Sequence, residues 1–575
     1  MSDDTVVVAD AYPNFSICGI PYYISGEVTH WRNLAHRTYA DLEATGMKLR
    51  LDTWALSIDV SGQRLAVRNP DGSNDFIDYD ELIVGTGAVP VRPPIEGLDT
   101  ADGVHLLHSM GDTFALTASL DRIQPKRALI VGAGYVGLEM AEGLTMRGIE
   151  VTQVEMLPEV LPTVEVELGA LVHDELVKHG VEVHTNATVT RITKTDTRLH
   201  VDGNTTEGEA LAWDVELVLV VVGVRPDTDL LVQAGAQTGP RGAVLVDETM
   251  ATGLSHVWAA GDCVTTHHRL LGTTYLPLGT TAHKQGRVAG ENALGGSVKY
   301  AGSLGTQVVK VFDLVAARTG LRDHEAIAAG ITPVSTTATP DDHKAYYPGA
   351  TPISIRITGD ADTGRLLGAQ LIGSRGAEIS KRVDTYATAL FHEMTVSGMT
   401  ELDLSYAPPL GSPWDAVQMA THGLGQGTPA RRRARHPEEG HLMTKPTLLF
   451  VCTHNAGRSA LGAALARQQA SERAIVLSAG VDPAETASAG TIASLAEIGI
   501  DDSLHVPTKV TEELVRNATV VISMKPGLDP PQVDGVTYET WNLPNPQGWE
   551  APAIRPLRDH IASQVEELLD RVAPR

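Results

Sequence analysis

Lys126-Arg-Ala-Leu-Ile-Val-Gly-Ala-Gly-Tyr-Val-Gly-Leu-Glu-Met-Ala-Glu142 decides the fold of this 575-residue chain. An apolar run leads straight into Gly132, Gly134 and Gly137, spaced as G-x-G-x-x-G, and a helical pattern follows. The first glycine permits a tight turn, the second lets a pyrophosphate reach the backbone, and the third lets helix and strand pack closely. The pyrophosphate then meets free N–H groups and the positive end of a helix dipole. The next strand, Glu150-Val-Thr-Gln-Val, ends in Glu155, 23 positions past Gly132. An acid there grips a ribose 2′-OH and repels a 2′-phosphate, so a dinucleotide site favouring NADH over NADPH is expected.

Outward from this stretch, short apolar runs at 5–9, 81–84, 127–131 and 217–222 alternate with helical patterns. That is the signature of an α/β protein with buried parallel strands. From about residue 300 the texture changes, and Ile353-Ser-Ile-Arg-Ile-Thr alternates as a sheet with one exposed face does. The length implies roughly three to five domains. Residues 423–446 lack apolar periodicity and read as a solvated linker around the basic cluster Arg431-Arg-Arg-Ala-Arg435, with Met443 where an independent protein could begin.

A formal net charge of −26 argues against sequence-independent nucleic-acid binding, but a backbone nest can still hold a small anion. The three cysteines are too few for a disulfide framework and point to a reducing compartment. The start, Met-Ser-Asp-Asp, lacks the pattern of a signal peptide. The longest apolar stretch, around 217–224, is far short of the roughly 20 residues that span a bilayer. A cytoplasmic protein without a membrane partner is expected.

A second chemistry lies in Leu448-Leu-Phe-Val-Cys-Thr-His-Asn-Ala-Gly-Arg-Ser-Ala-Leu-Gly. Cys452 and Arg458, separated by five residues between a strand and a helix, enclose a loop whose N–H groups converge on one tetrahedral oxyanion. Arg458 offers a bidentate fork to that anion, and the same field stabilises a Cys452 thiolate. Ser459 is placed to hydrogen-bond the thiolate, and Asn455 to hold the loop shape.

With both motifs in hand, residues from about 5 to about 422 resemble the two-dinucleotide flavoprotein disulfide reductases. The likeness is strongest to the single-cysteine branch of coenzyme A-disulfide reductases, NADH oxidases and NADH peroxidases. Tyr79-Asp-Glu-Leu-Ile-Val-Gly-Thr-Gly looks like the family's Ala-Thr-Gly segment, with Gly85 where Ala is usual, so Thr86 and Gly87 are expected at FAD. Val257-Trp-Ala-Ala-Gly-Asp-Cys looks like its second flavin motif, which assigns Gly261 and Asp262 to the ribityl chain and leaves Cys263 structural. Asn14-Phe-Ser-Ile-Cys-Gly-Ile-Pro resembles the redox segment and puts the active sulfur at Cys18. From the residues alone Cys18 reads as a buried structural cysteine. The thiolate is the working nucleophile, and a cationic or helix-terminal setting would lower its pKa. With no second cysteine nearby, its oxidised form is expected to be a mixed disulfide or a sulfenic acid.

The resemblance also implies a homodimer, with Tyr406 either hydrogen-bonding the Cys18 region across the dimer or simply buried. Its implied fold is α/β with two Rossmann-like halves and an α+β dimerisation domain. The FAD domain takes 1–100 and 227–300, the NAD(P)H domain 101–226 and the dimerisation domain 301–422, before a linker at 423–445. One departure concerns the start. Thr5-Val-Val-Val-Ala-Asp looks like the family's second strand, with Asp10 at the acid that holds the FAD ribose. The first strand and its G-x-G-x-x-G are unmatched, which is expected to expose apolar edges. Either FAD is bound poorly or the start is misplaced, and the second reading is adopted.

Residues 446–575 resemble the low-molecular-weight tyrosine phosphatases, and His454-Asn-Ala-Gly-Arg-Ser looks most like the arsenate reductases among them. Two departures matter. The family's Asp-Pro general acid is Asn545-Pro546 here, and the loop at 524–531 carries no resolving cysteine. The expectation is an FAD- and NAD(P)H-dependent oxidoreductase of small disulfides or thiols, coupled to arsenate reduction at Cys452. The alternatives are an uncoupled oxidase tethered to a phosphatase-like domain, or a non-catalytic oxyanion or nucleotide sensor.

Overall fold

The computed structural model describes all residues except 1–3, 100, 197, 426–445, 471–472, 504, 534–535 and 573–575. The chain divides into two units, 1–436 and 437–575. The basic cluster Arg431–Arg435 and Met443 lie outside the described residues. The start of the expected linker, 423–425, is helical instead and ends the helix Ala416–Gly425, because Leu424 is drawn into the core.

The first unit opens with β1 (Thr5–Val7), α1 (Ile20–Ser25), β2 (Lys48–Arg50) and β3 (Leu82–Val84). Next come β4 (Val104–Leu106), β5 (Arg127–Val131), α2 (Tyr135–Met146), β6 (Glu150–Val154), β7 (Glu182–His184) and β8 (Leu217–Val220). These five strands form one parallel sheet in the order β7-β6-β5-β8-β4. β5, which leads into the glycine turn, is therefore internal, with Leu129 and Ile130 fully buried. Both faces are covered, so its residues read as a continuous apolar run.

The chain then returns with β9 (Val257–Ala259) and α3 (Gly279–Ala293). Here the two Rossmann-like halves differ. β1 pairs only with β2, and β3 only with β9, as two separate parallel pairs. Among the described residues no strand stands between them as β5 stands between β6 and β8. Ile83 of β3 is 44% exposed.

Five antiparallel strands follow: β10 (Gln307–Val311), β11 (Leu314–Gly320), β12 (Pro333–Ala338), β13 (Ser354–Asp360) and β14 (Leu366–Ser374). Their order is β10-β11-β14-β13-β12, and α4 (Ile379–Phe391) packs on the sheet. On β13, Ile355 and Ile357 are buried while Ser354 and Arg356 are half-exposed, as the alternation predicts. Thr358 breaks the pattern. It is buried because its hydroxyl donates to Asp323 at 2.8 Å.

The second unit is a four-stranded parallel sheet of β15 (Thr447–Cys452), β16 (Ile475–Gly480), β17 (Val520–Ser523) and β18 (Thr537–Thr540), in the order β16-β15-β17-β18. Helices α5 (Arg458–Ala470) and α6 (Ala551–Val572) cover it. β15 is central, so Leu448 through Val451 are fully buried and its C-terminal end delivers Cys452 to the head of α5. Gly462 of α5 makes room for Phe450 and Met524, whose atoms would lie 2.9 Å from a Cβ there. Among the described residues no helix is long and apolar enough to cross a membrane.

Candidate active sites

The turn between β5 and α2 shows why each glycine is needed. Gly132 has φ +102°, and a Cβ on it would meet the Val221 carbonyl oxygen at 2.7 Å. A Cβ on Gly137 would lie 2.1 Å from the Gly132 carbonyl oxygen, so the helix can approach the strand only without it. A Cβ on Gly134 would meet nothing within 4 Å. Gly134 is also the N-cap of α2 and offers no side-chain cap, which leaves the first-turn N–H groups for an anion. Gly137→Ala is therefore expected to destabilise the unit by about 1–3 kcal/mol. Gly134→Val should instead weaken NADH binding with little change in melting temperature. Calorimetry beside an NADH titration separates the two effects.

Glu155 stands at the end of β6, but it faces the turn. One carboxylate oxygen accepts from the Ala133 N–H at 2.7 Å and the other from the Leu157 N–H at 3.0 Å. The side chain is buried, and a ribose hydroxyl would share these oxygens rather than have them to itself. Spacing locates the acid but cannot reveal that it also satisfies the amide of the glycine turn.

The flavin-like segments converge from three parts of the chain. Asp10 follows β1, half-buried, and burial pushes its carboxyl up against the lowering influence of the Ala11 and Tyr12 amides. Thr86 donates to the Asp227 carbonyl at 2.6 Å, and Gly87 turns with φ +72°. Gly261 has φ +88°, and its N–H donates to the buried Gln285 of α3 at 3.0 Å. Asp262 is half-buried, its carboxyl raised by burial, and Tyr275 donates to its main-chain oxygen at 3.0 Å. Cys263 is fully buried, with its sulfur 3.4 Å from the Ala260 carbonyl, a structural position.

Cys18 is exposed, not buried, in a one-turn 3-10 segment that runs directly into α1. Its thiol is raised, first by burial of the sulfur's immediate surroundings and then by the charges of Glu139 and Asp262. The neighbours that the fold brings to the sulfur are acids from α2 and from the flavin segment. Glu139 escaped the sequence reading, although a carboxylate in the buried run that follows Gly137 is a visible signal. Tyr406 is 45% exposed in the single chain, beside Tyr346.

In the second unit, Cys452 is buried at the end of β15 and the loop closes around its sulfur. The Ser459 oxygen lies 3.0 Å from Sγ, and the Asn455 N–H donates to Sγ at 3.2 Å. Asn455 Nδ2 donates to the same Ser459 oxygen at 3.0 Å. That amide nitrogen can only donate, so the serine proton is left for the sulfur. Asn455 holds φ +50°, and its side-chain oxygen accepts from the Thr508 N–H at 2.8 Å. Its carbonyl accepts from His505 Nε2 at 2.8 Å, which fixes the proton of that ring. Arg458 is buried, with Nη1 donating to the Leu543 carbonyl at 3.1 Å. Asn545, exposed, donates to Gln547 at 3.4 Å.

Comparison with known proteins decides the family. Residues 5–286 match the family described as pyridine nucleotide-disulphide oxidoreductase, and residues 306–416 match its dimerisation domain. An NADH oxidase of Methanocaldococcus jannaschii is 32% identical over 71% of this chain and 89% of its own. The chain belongs to the pyridine nucleotide-disulphide oxidoreductases. Residues 447–529 of this oxidoreductase match the low molecular weight phosphotyrosine protein phosphatases. Among solved structures, it is similar to a NAD-dependent persulfide reductase from A. fulgidus, with 29% identity and TM-score 0.71 over 91% of this chain and 89% of that one. A FAD-dependent pyridine nucleotide-disulphide oxidoreductase from Desulfovibrio vulgaris is 26% identical, with TM-score 0.58 over 74% of this chain and 99% of that one. The oxidoreductase is thus an enzyme fused to a phosphatase-like domain.

Proposed function

We propose that this oxidoreductase uses NADH to restore the thiol of Cys18, and that the thiol so restored releases arsenite from an arsenate adduct at Cys452. One observation carries the reading. Cys452 sits in a loop built for an oxyanion, while the only other cysteines of the chain are Cys18 and the buried Cys263. No resolving sulfur is available inside the second unit, and the first unit belongs to a family that restores thiols.

The chain's own residues can be assigned to FAD with one gap. Gly87 and Gly279 face open space where a Cβ would stand, and the N-terminus of α3 has no side-chain cap. Asp10 would hold the ribose and Asp262 the ribityl chain, with Thr86, Gly87 and Gly261 shaping the cleft. Among the described residues of this half, no glycine turn stands ready for the pyrophosphate. FAD, when bound, supplies acceptance of hydride from NADH and passage of the electron pair to sulfur. Gly132, Gly134 and Gly137 would hold the NADH pyrophosphate, and the acid at Glu155 favours NADH over NADPH.

At Cys452 the thiolate, stabilised by Ser459 and the Asn455 N–H, attacks arsenic, and a hydroxide leaves as water after protonation. Arg458 neutralises the oxyanion. A thiolate, either a small molecule or Cys18 itself, then attacks the Cys452 sulfur. The S–As electron pair returns to arsenic, so arsenite departs and a mixed disulfide remains. A second thiol breaks that disulfide, and NADH restores the two thiols through Cys18. The sum is arsenate, NADH and a proton giving arsenite, NAD+ and water. The match to a dimerisation domain supports a homodimer, and the scarcity of cysteine supports a cytoplasmic setting.

Asn545 favours arsenate over a phosphoester, because an amide cannot protonate an alkoxide leaving group. Asn545→Asp is expected to raise aryl-phosphate hydrolysis by about 10²–10³-fold, which a chromogenic phosphate assay reads. The coupled reading itself is tested with the flavin-loaded chain. Arsenate plus a low-molecular-weight thiol should accelerate NADH oxidation, and no acceleration overturns it.

A further inference from the structure

We propose that Arg318 and Arg322 of the dimerisation domain are positioning residues for the dinucleotide, holding from outside the turn that meets its pyrophosphate. The contacts run back from Ala133, which stands between Gly132 and Gly134. Its N–H donates to Glu155 at 2.7 Å, and its carbonyl oxygen accepts from the Leu161 N–H at 2.9 Å. The Ala133–Gly134 peptide is planar and trans, so pinning its oxygen also aims the Gly134 N–H, in the opposite direction. Among the described residues nothing in the protein accepts from that N–H, and a Cβ on Gly134 would meet only open space. The donor is left for an anion.

Leu161 is itself held. It is buried with φ +50°, a conformation that a leucine keeps only where its surroundings impose it. It opens the turn Leu161-Pro-Thr-Val164, which the Val164 N–H closes by donating to the Leu161 oxygen at 3.1 Å. Proline at the second position suits such a turn, because its φ is already set. The other three carbonyls of the turn accept from the arginines. Arg322 Nη1 donates to Pro162 at 2.6 Å and to Val164 at 3.4 Å, and Arg318 Nη1, from β11, donates to Thr163 at 2.9 Å. Glu325, in the short helix Asp323–Ala328, fixes both guanidinium groups, accepting from Arg318 at 2.7 and 3.2 Å and from Arg322 at 3.0 Å. Just past the turn, the Glu165 N–H donates to Gln370 of β14 at 2.6 Å. Docking of the two domains is served elsewhere as well, where Lys310 and the Phe312 N–H meet Glu142 of α2. The arginines differ in grasping the backbone of the one turn that touches Ala133.

This role of the two arginines rests on the dinucleotide reading of the glycine turn, but not on arsenate chemistry. The flavin-loaded full chain is titrated calorimetrically with ADP-ribose, which carries the adenosine, both phosphates and the second ribose of NADH without its nicotinamide. Arg322→Ala and Arg318→Ala should each weaken binding about three- to tenfold. Arg382→Ala removes a similarly buried arginine of the same domain, one paired with Asp415 at 3.2 Å and remote from the turn in its contacts. It should bind ADP-ribose as the wild type does, even where its melting temperature falls. Unchanged affinity in either folded arginine variant of the clamp, or an equal loss in Arg382→Ala, overturns the proposal. If Arg318→Ala does not fold, Arg322→Ala decides by the same comparison. A wild type that binds no ADP-ribose would overturn the dinucleotide reading and this role with it. A wild type that binds leaves that reading standing, and the variants then decide the role of the arginines alone.

Discussion

Cys18→Ser is expected to abolish disulfide-dependent NADH oxidation, by more than about 10³-fold, and with it any NADH consumption driven by arsenate. Cys263 cannot take over, because it is fully buried with its sulfur against backbone carbonyls. Cys452 cannot take over either, since its sulfur is engaged by Ser459 and Asn455 inside the oxyanion loop of the other unit. The substitution replaces an exposed sulfur with an oxygen of similar reach, so folding should be untouched. Following NADH absorbance with a small disulfide as acceptor checks the result, and NADH titration confirms that the dinucleotide site remains. Retention of more than a few per cent of the activity would assign the electron transfer to a different group.

Cys452→Ser is expected to act on one half of the chemistry alone. Arsenate-dependent NADH oxidation should fall by about 10³–10⁶-fold, while disulfide-dependent oxidation stays at the wild-type rate. The reason lies in the loop. Ser459 donates to a sulfur that must be anionic to attack arsenic, and a serine hydroxyl in that place retains its proton. Asn455 would still fix the loop through Thr508 and His505, so anion binding should survive the loss of chemistry. Assaying both acceptors on one preparation tests this. Equal loss of both activities would mean that the variant disturbs the whole chain.

The glycine turn was legible in the sequence because its constraint is local: Gly132 and Gly137 are required by backbone atoms only a few residues or one strand away. The positions of the buried strands were legible for a related reason, since a strand covered on both faces must be apolar throughout. The runs at 5–9 and 217–222 nevertheless overran strands that end at Val7 and Val220. The Cys452 loop was legible in its nucleophile, its arginine and its serine. Its supports were not, because His505 and Thr508 reach Asn455 from some fifty positions away and carry no pattern of their own. The electrostatics of Cys18 were not legible, because packing brings Glu139 and Asp262 to the sulfur from distant segments. Glu155 shows the intermediate case, with its place set by spacing and its partners set by the turn it braces.

The central claim is that the two cysteines serve one reaction, and counting both products tests it most directly. Flavin-loaded chain, arsenate, a catalytic amount of low-molecular-weight thiol and excess NADH should give one arsenite for each NADH consumed, with no net loss of thiol. Arsenite formed only in proportion to added thiol, or NADH consumed without arsenite, would contradict the account.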